Sequence, residues 1–147
     1  MYKNGDECPI CGDGLLKEKK IRETFEYKGN HLTIDDYVVY ECSECDEALV
    51  DPNILKDTEK TIRDFQRKTD RLLMPQEIKE IRKVLGFTQE KFASILGGGV
   101  KSFARYESGI VTQSRAMDNL LRIIKTYPKT LEVLTDTSLH SHFSEHC

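Results

Sequence analysis

The sequence predicts an α+β protein, with a small N-terminal β-hairpin module, a helical connector and an all-α C-terminal domain of five helices. Apolar and polar residues alternate between two Cys-x-x-Cys pairs, which indicates a hairpin. A charged stretch after residue 51 has apolar residues at helical spacing, which indicates a connector. From residue 75, short apolar segments separated by glycine and proline indicate a compact helical domain.

The length of the chain allows one ordinary domain or two small ones, and we expect the protein in the cytoplasm. The chain has 147 residues, of which 32% are charged and 38% hydrophobic. It contains no apolar run near the ~18 residues that a membrane span needs, and its first residues lack the apolar stretch of a signal peptide. Because the cytosol is reducing, we expect its cysteines to bind metal and not to form disulfides.

The predicted hairpin occupies most of the first fifty residues. Phe25 and Tyr27 alternate with charged neighbours, and Lys28-Gly29-Asn30 indicates the turn. A second run over residues 32–40 is rich in β-branched and aromatic residues, as strands are.

Four cysteines bracket this hairpin as two identical units, Cys8 with Cys11 and Cys42 with Cys45, separated by thirty residues. Two such knuckles can place four thiolates tetrahedrally, which predicts one structural Zn²⁺ ion in a closed site. A single iron also suits four sulfurs, so that alternative stays open, as does an iron-binding electron carrier. A redox Cys-x-x-Cys would explain either pair but not both.

The remaining segments predict helices. Asp51-Pro52-Asn53 begins a connector of about 15–20 residues. The domain at 71–134 then holds one helix from Pro75 to Gly86, one over 88–96, one over 100–108 closed by Gly109, one capped by Ser114 and a short one from Pro128. We assign residues 1–70 to the metal-binding domain with its connector, and residues 135–147 to a disordered tail.

The third of these helices is the candidate for DNA contact. We expect Val100, Phe103 and either Tyr106 or Glu107 to face the core, with Glu107 pairing locally. Lys101, Ser102 and Arg105 should lie on the exposed side, where long cationic donors can reach the major groove. In the preceding helix, Thr88 is predicted to cap the N-terminus, and Thr88 and Gln89 to contact a phosphate. An ordinary helical bundle with a solvated charged face is the alternative.

The charge distribution agrees with a DNA-binding C-terminal half, although chance variation between surfaces would also produce it. Residues 1–70 carry 11 Lys and Arg against 17 Asp and Glu, a balance of −6, whereas residues 71–134 carry 11 against 6, a balance of +5. A basic half suits a phosphate backbone and an acidic half suits a basic protein partner.

Two segments carry a family resemblance. Residues 87–90 (FTQE) and 105–109 (RYESG) resemble the Xre/Cro helix-turn-helix regulators, and residues 97–107 (GGGVKSFARYE) resemble the MqsA antitoxin family. The resemblance implies a homodimer formed through the C-terminal domain, and a zinc domain that neutralises a toxin, typically an mRNA-cleaving ribonuclease. It also implies repression of the chain's own operon at a palindromic operator. Base-reading positions of the family match Lys101, commonly Asn there, and Arg105.

Other functions find less support in the sequence. A stand-alone Xre-like regulator without a toxin is the main alternative to an antitoxin. No Ser-His-Asp grouping, phosphate loop or open metal site indicates an enzyme. Cys147 lies in the predicted tail with His140, His142 and His146; we interpret it as inert, with binding of stray metal as the alternative.

Overall fold

The computed structural model describes residues 1–135 and consists of two compact units, the first spanning Met1–Thr69 and the second beginning at Asp70. An antiparallel hairpin precedes six α-helices, so the predicted α+β class is confirmed. None of the helices within residues 1–135 is both long and apolar enough to cross a bilayer. Thr135 ends the last helix, and the rest of the predicted tail, with Cys147 and the three histidines, lies outside the described residues.

The first unit is organised by a long hairpin. Strand β1 spans Leu16–Tyr27 and pairs with β2, Asn30–Cys42, in a register that places Leu16 opposite Cys42. Lys28 and Gly29 form the two-residue turn with φ of 47° and 79°. Positive φ at both positions is the geometry that matches the twist of antiparallel strands. The predicted turn is therefore confirmed, and the hairpin brings residues near Cys11 beside Cys42.

A two-residue strand and a long helix complete this unit. Strand β3, Ala48–Leu49, pairs with the end of β2, and its two residues are too few to produce a sequence pattern. Helix α1 spans Pro52–Thr69, which confirms the predicted connector helix. Asp51 is buried before α1, where its carboxylate accepts hydrogen bonds from the amides of Asn53 (2.9 Å) and Tyr2 (3.0 Å).

The second unit is built from short helices whose ends follow local sequence signals. The helices are α2 (Pro75–Val84), α3 (Gln89–Leu96), α4 (Ser102–Ser108), α5 (Arg115–Thr126) and α6 (Leu131–Thr135), with a 3-10 turn at Pro128–Thr130. Thr88 and Ser114 cap α3 and α5 by accepting hydrogen bonds from the amides of Lys91 and Met117. Gly86 and Gly109 follow α2 and α4 with positive φ, as predicted.

An aromatic pair lies at the centre of this unit. Phe92 of α3 and Phe103 of α4 are fully buried, with ring centroids 4.6 Å apart. The other buried members of the core are Leu73, Ile78, Ile81, Ala93 and Leu121. On the inward face of α5, Leu121 and Ile124 are buried, whereas Met117 and Leu120 are half-buried.

A buried carboxylate joins α5 to the segment before α2. Asp118 is fully buried and accepts hydrogen bonds from the Leu73 amide (2.7 Å), Gln113 Nε2 (3.1 Å) and Arg122 Nε (2.8 Å). Burial alone would raise the pKa of Asp118, but these hydrogen bonds and the Arg122 charge together lower it below its ordinary value. The charged form of Asp118 therefore stabilises the folded unit.

We predict that this carboxylate makes the helical unit sensitive to acid. Because the pKa is lower in the folded state, the contribution of Asp118 is complete above the unfolded pKa of about 3.9 and is lost as pH falls through the folded pKa. Replacing Asp118 with Asn should cost roughly 1.5–3 kcal/mol at neutral pH, the value of a hydrogen bond to a charged group. Urea unfolding followed by the NMR signals of Phe92 and Phe103 would measure this.

The matched control is Glu132→Gln, which removes an exposed carboxylate from α6. That variant should keep the stability and acid response of the wild type. Asp118→Asn should lose less stability than the wild type on acidification, and an unchanged acid response in Asp118→Asn would contradict the assignment.

Candidate metal centre and candidate nucleic-acid interface

The four predicted cysteine ligands lie together at one end of the hairpin. Their sulfur atoms are all within 4.8 Å of one another, with Cys8 to Cys45 at 3.8 Å and Cys11 to Cys42 at 3.6 Å. Four thiolates bound tetrahedrally at about 2.3 Å from one ion would lie about 3.8 Å apart. The sulfur positions therefore fit one metal ion with no further protein ligand.

Local backbone donors favour a charged sulfur at this centre. The amides of Cys45 and Glu44 each donate to Cys42 Sγ at 3.4 Å, and these hydrogen bonds lower the pKa of Cys42 to about 6. The Glu47 amide also lowers the pKa of Cys45, but the adjacent Cys42 sulfur, burial and the other two sulfurs raise it to about 12. Four neighbouring sulfurs cannot all carry negative charge unless a cation balances them, which is the environment that a metal ion supplies.

Two segments hold the knuckles against each other. Ser43 and Leu15 exchange hydrogen bonds, the Ser43 amide donating to Leu15 O (3.1 Å) and the Leu15 amide to Ser43 Oγ (3.0 Å). Within the first knuckle, the Gly12 amide donates to Cys8 O (2.9 Å) and the Cys8 amide to Gly14 O (2.8 Å). The bonds between Ser43 and Leu15 join the two knuckles, and the bonds of Cys8 shape the first one; all four are made by protein groups alone.

Gly14 is a position that the sequence analysis missed. A Cβ atom at Gly14 would lie 2.3 Å from Cys42 Sγ and 3.0 Å from the Glu44 amide, so no other residue fits without displacing a ligand. Gly12, which directly follows Cys11, has φ of 75°, but a Cβ atom there would have no neighbouring atom within 4 Å. The signal for Gly14 depends on contact with a residue 28 positions later, and sequence spacing does not reveal such contacts.

In the second unit, α4 presents an exposed cationic face. Lys101, Ala104, Arg105 and Ser108 are all exposed, at the spacing that puts them on one side of a helix. Within residues 1–135, the side chains of Lys101 and Arg105 form no ion pair. Two of the predicted DNA-contact residues thus lie together on a surface that is open to a ligand.

Two expectations about α4 are wrong. Ser102, expected on the exposed side, is 6% exposed, and its hydroxyl donates to Gly97 O at 3.5 Å. Val100, expected in the core, is 71% exposed. The reason is that α4 begins at Ser102, two residues later than predicted, so Val100 lies in the preceding turn. Ser102 therefore packs against the glycine turn and does not belong to the exposed face.

A buried ion pair positions α4. Arg82 of α2 donates from Nε and Nη2 to the two carboxylate oxygens of Glu107, at 2.9 and 2.8 Å, and from Nη1 to Phe87 O at 2.8 Å. The hydrogen bond to Glu107 is the main cause that raises the pKa of Arg82. Glu107 pairs within the fold, as expected, but the expectation of a local partner is wrong, because Arg82 lies 25 residues earlier in the chain.

The predicted cap at the start of α3 is confirmed, whereas the phosphate contact of Thr88 and Gln89 stays a prediction. Thr88 is exposed and its hydroxyl accepts the Lys91 amide at 3.2 Å. Gln89, the first residue of α3, is half-exposed.

Comparison with known proteins places the chain in a family. The family described as the antitoxin component of the bacterial toxin-antitoxin system, MqsA, matches residues 6–135. Antitoxin MqsA of Escherichia coli (strain K12) is 25% identical over 126 residues, which cover 85% of this chain and 96% of that protein. The matched range, residues 6–135, spans the four cysteines, the hairpin and the helices of the described part of the chain.

We predict that Gly14→Ala weakens metal binding about 10–100-fold, the usual effect of losing a group that positions metal ligands. The added methyl group would displace Cys42 Sγ or the Glu44 backbone. Competition with a chromogenic chelator, together with metal content measured by mass spectrometry, would give the affinity.

Gly12→Asn is the matched control, because asparagine tolerates a positive φ and a side chain there has space. This variant should bind metal within a few-fold of the wild type. Equal affinities for Gly14→Ala and Gly12→Asn would show that Gly14 is not needed to place the ligand.

Proposed function

The chain belongs to the MqsA antitoxin family, and we propose that this antitoxin represses its own operon by binding DNA and neutralises its toxin through the N-terminal unit. Family membership identifies the chain as the antitoxin component of a toxin-antitoxin system. A stand-alone regulator is not favoured by that membership. The chain then acts as a binding protein and not as an enzyme.

The observation that carries the DNA-binding proposal is the exposed cationic face of α4. Lys101 and Arg105 project from a helix that Glu107 and Phe103 fix on the opposite side. A guanidinium in the major groove can donate two hydrogen bonds to guanine O6 and N7, and a lysine can bind guanine or phosphate. Thr88 and Gln89, at the start of α3, would contact the phosphate backbone nearby.

A homodimer formed through the helical unit would double this contact. Apolar side chains remain exposed on this unit, including Val84 at 86% and Tyr127 at 67%. Val84 also lines a groove of about 340 Å³ between α2 and the end of α5, with Ile81, Leu85 and Pro128. A second copy would cover such surface, and two recognition helices would then read a palindrome with half-sites about one helical turn apart.

The metal of the N-terminal unit is proposed to be one structural Zn²⁺ ion held by Cys8, Cys11, Cys42 and Cys45. When bound, zinc would balance the thiolate charges and cross-link the two knuckles. The excess of acidic residues in this unit suits a basic toxin. The family resemblance implies that this partner is an mRNA-cleaving ribonuclease.

We predict that Arg105→Ala weakens binding to the chain's own promoter fragment by roughly 1–3 kcal/mol and relaxes preference at one base pair. The loss would come from one bidentate contact to a base. Fluorescence anisotropy with promoter and random DNA, each titrated at several salt concentrations, measures affinity, preference and the number of phosphate contacts.

Lys129→Ala removes an exposed cation of the same unit that lies off α4, and it should leave base preference unchanged. If Arg105→Ala bound promoter and random DNA as the wild type does, α4 would not be the helix that reads the operator.

We predict that toxin neutralisation depends on the cysteine cluster and not on α4. Expressed alone, the product of the adjacent small reading frame should stop growth, and co-expressed wild-type antitoxin should restore it. Cys42→Ser should fail to restore growth because the knuckles lose a ligand, whereas Arg105→Ala should succeed. Growth curves and total mRNA levels provide the measurement, with far-UV circular dichroism to verify that Cys42→Ser keeps its helices.

Full rescue by Cys42→Ser would refute a role for the metal centre in neutralisation. Failure of Arg105→Ala to rescue growth would contradict the assignment of DNA and toxin binding to separate surfaces.

A further inference from the structure

The exposed face of α4 is only partly cationic. Ala104 lies between Lys101 and Arg105 on that face, three residues after the first and one before the second. Val100 directly precedes Lys101 in the turn that leads into α4, and its side chain is 71% exposed. Two apolar side chains therefore accompany the two cations in the segment that we propose to enter the major groove.

The position of Val100 is fixed by the core beneath it. Ser102 and Phe103 are buried, and the Ser102 amide donates to Gly99 O at 3.1 Å, which closes the turn containing Val100. The preceding glycines, Gly97 to Gly99, all have φ above 90°, a backbone that few other residues adopt. The turn consequently holds Val100 outward, beside the cations.

Cations alone leave part of the base sequence unread. Lysine and arginine bind guanine O6 and N7, but they do not identify thymine. Thymine is distinguished in the major groove by its C5-methyl group, which apolar side chains contact. A face that combines cations with exposed methyl groups therefore matches a half-site in which thymine neighbours guanine.

We propose that Val100, with Ala104 beside it, determines sequence preference by packing against thymine methyl groups of the operator. This inference rests on the proposed DNA-binding function and extends it to a residue outside α4 itself. The exposed side chains of Val100 and Ala104 would contact the C5-methyl group of thymine in duplex DNA. The positive charges of Lys101 and Arg105 would attract the negatively charged DNA to this surface.

The test replaces the thymines of the bound promoter fragment with deoxyuridine, one position at a time, which removes only the methyl group of that base. Anisotropy titrations would compare wild-type protein with Val100→Ala. Wild-type affinity should fall about fourfold at the contacted thymine, the value of one buried methyl group. Val100→Ala should bind the unmodified fragment about fourfold more weakly and should lose its sensitivity to deoxyuridine at that position.

The matched control is Val133→Ala, which truncates an exposed valine of α6, far from Val100 in the chain. This variant should keep the wild-type deoxyuridine profile. The inference is overturned if Val100→Ala keeps wild-type affinity, or if its deoxyuridine profile equals that of the wild type. Normal promoter binding by the wild type and weakened binding by Arg105→Ala would, in that case, leave the proposed function standing. A wild-type protein that does not prefer its promoter over random DNA would overturn both.

Discussion

The position of α4 depends on the bidentate ion pair between Arg82 and Glu107. A helix of seven residues is too short to be stable by itself, and Phe103 is its one fully buried apolar side chain. Removing either partner of the pair would leave a buried charge without compensation, at a cost of several kcal/mol. The cationic face of α4 therefore has a defined orientation because the opposite face is fastened to α2 by two directional hydrogen bonds and by aromatic packing.

The N-terminal unit also contains segments that its apolar core is too small to order, and here cysteine sulfurs take the place of an ion pair. Near the cysteines its buried apolar cluster consists of Cys8, Leu16 and Tyr40, which is too small a core to order the two knuckles. Backbone hydrogen bonds bring the knuckles together, and the lowered pKa of Cys42 prepares one sulfur for the charged state. A bound cation would then supply the stabilisation that the core lacks, because metal binding to a small module contributes directly to its folding.

The features that the sequence predicts depend on residues close together in the chain, and the features that it misses depend on residues far apart. The hairpin turn, the caps at Thr88 and Ser114 and the helix ends at Gly86 and Gly109 depend on residues within a few positions, and all were predicted. The four-cysteine cluster was predictable because its spacing is regular. The contact of Gly14 with Cys42, the network of Asp118 and the partner of Glu107 depend on residues distant in sequence, and they were missed. The errors at Val100 and Ser102 came from a helix start misplaced by two residues, which changes the side of the helix that each residue occupies.

The buried ion pair between Arg82 and Glu107 serves orientation more than stability. Well-packed apolar residues in place of Arg82 and Glu107 could give a unit of similar stability. Apolar contacts, however, tolerate small rotations and translations of a helix, whereas paired hydrogen bonds of 2.8–2.9 Å do not. Reading a base edge requires donors placed to within a fraction of an ångström. In the proposed complex, Arg105 on α4 and Val100 and Lys101 in the turn before it would gain specificity from the ion pair on the buried side of α4, even where that pair adds little to the free energy of folding.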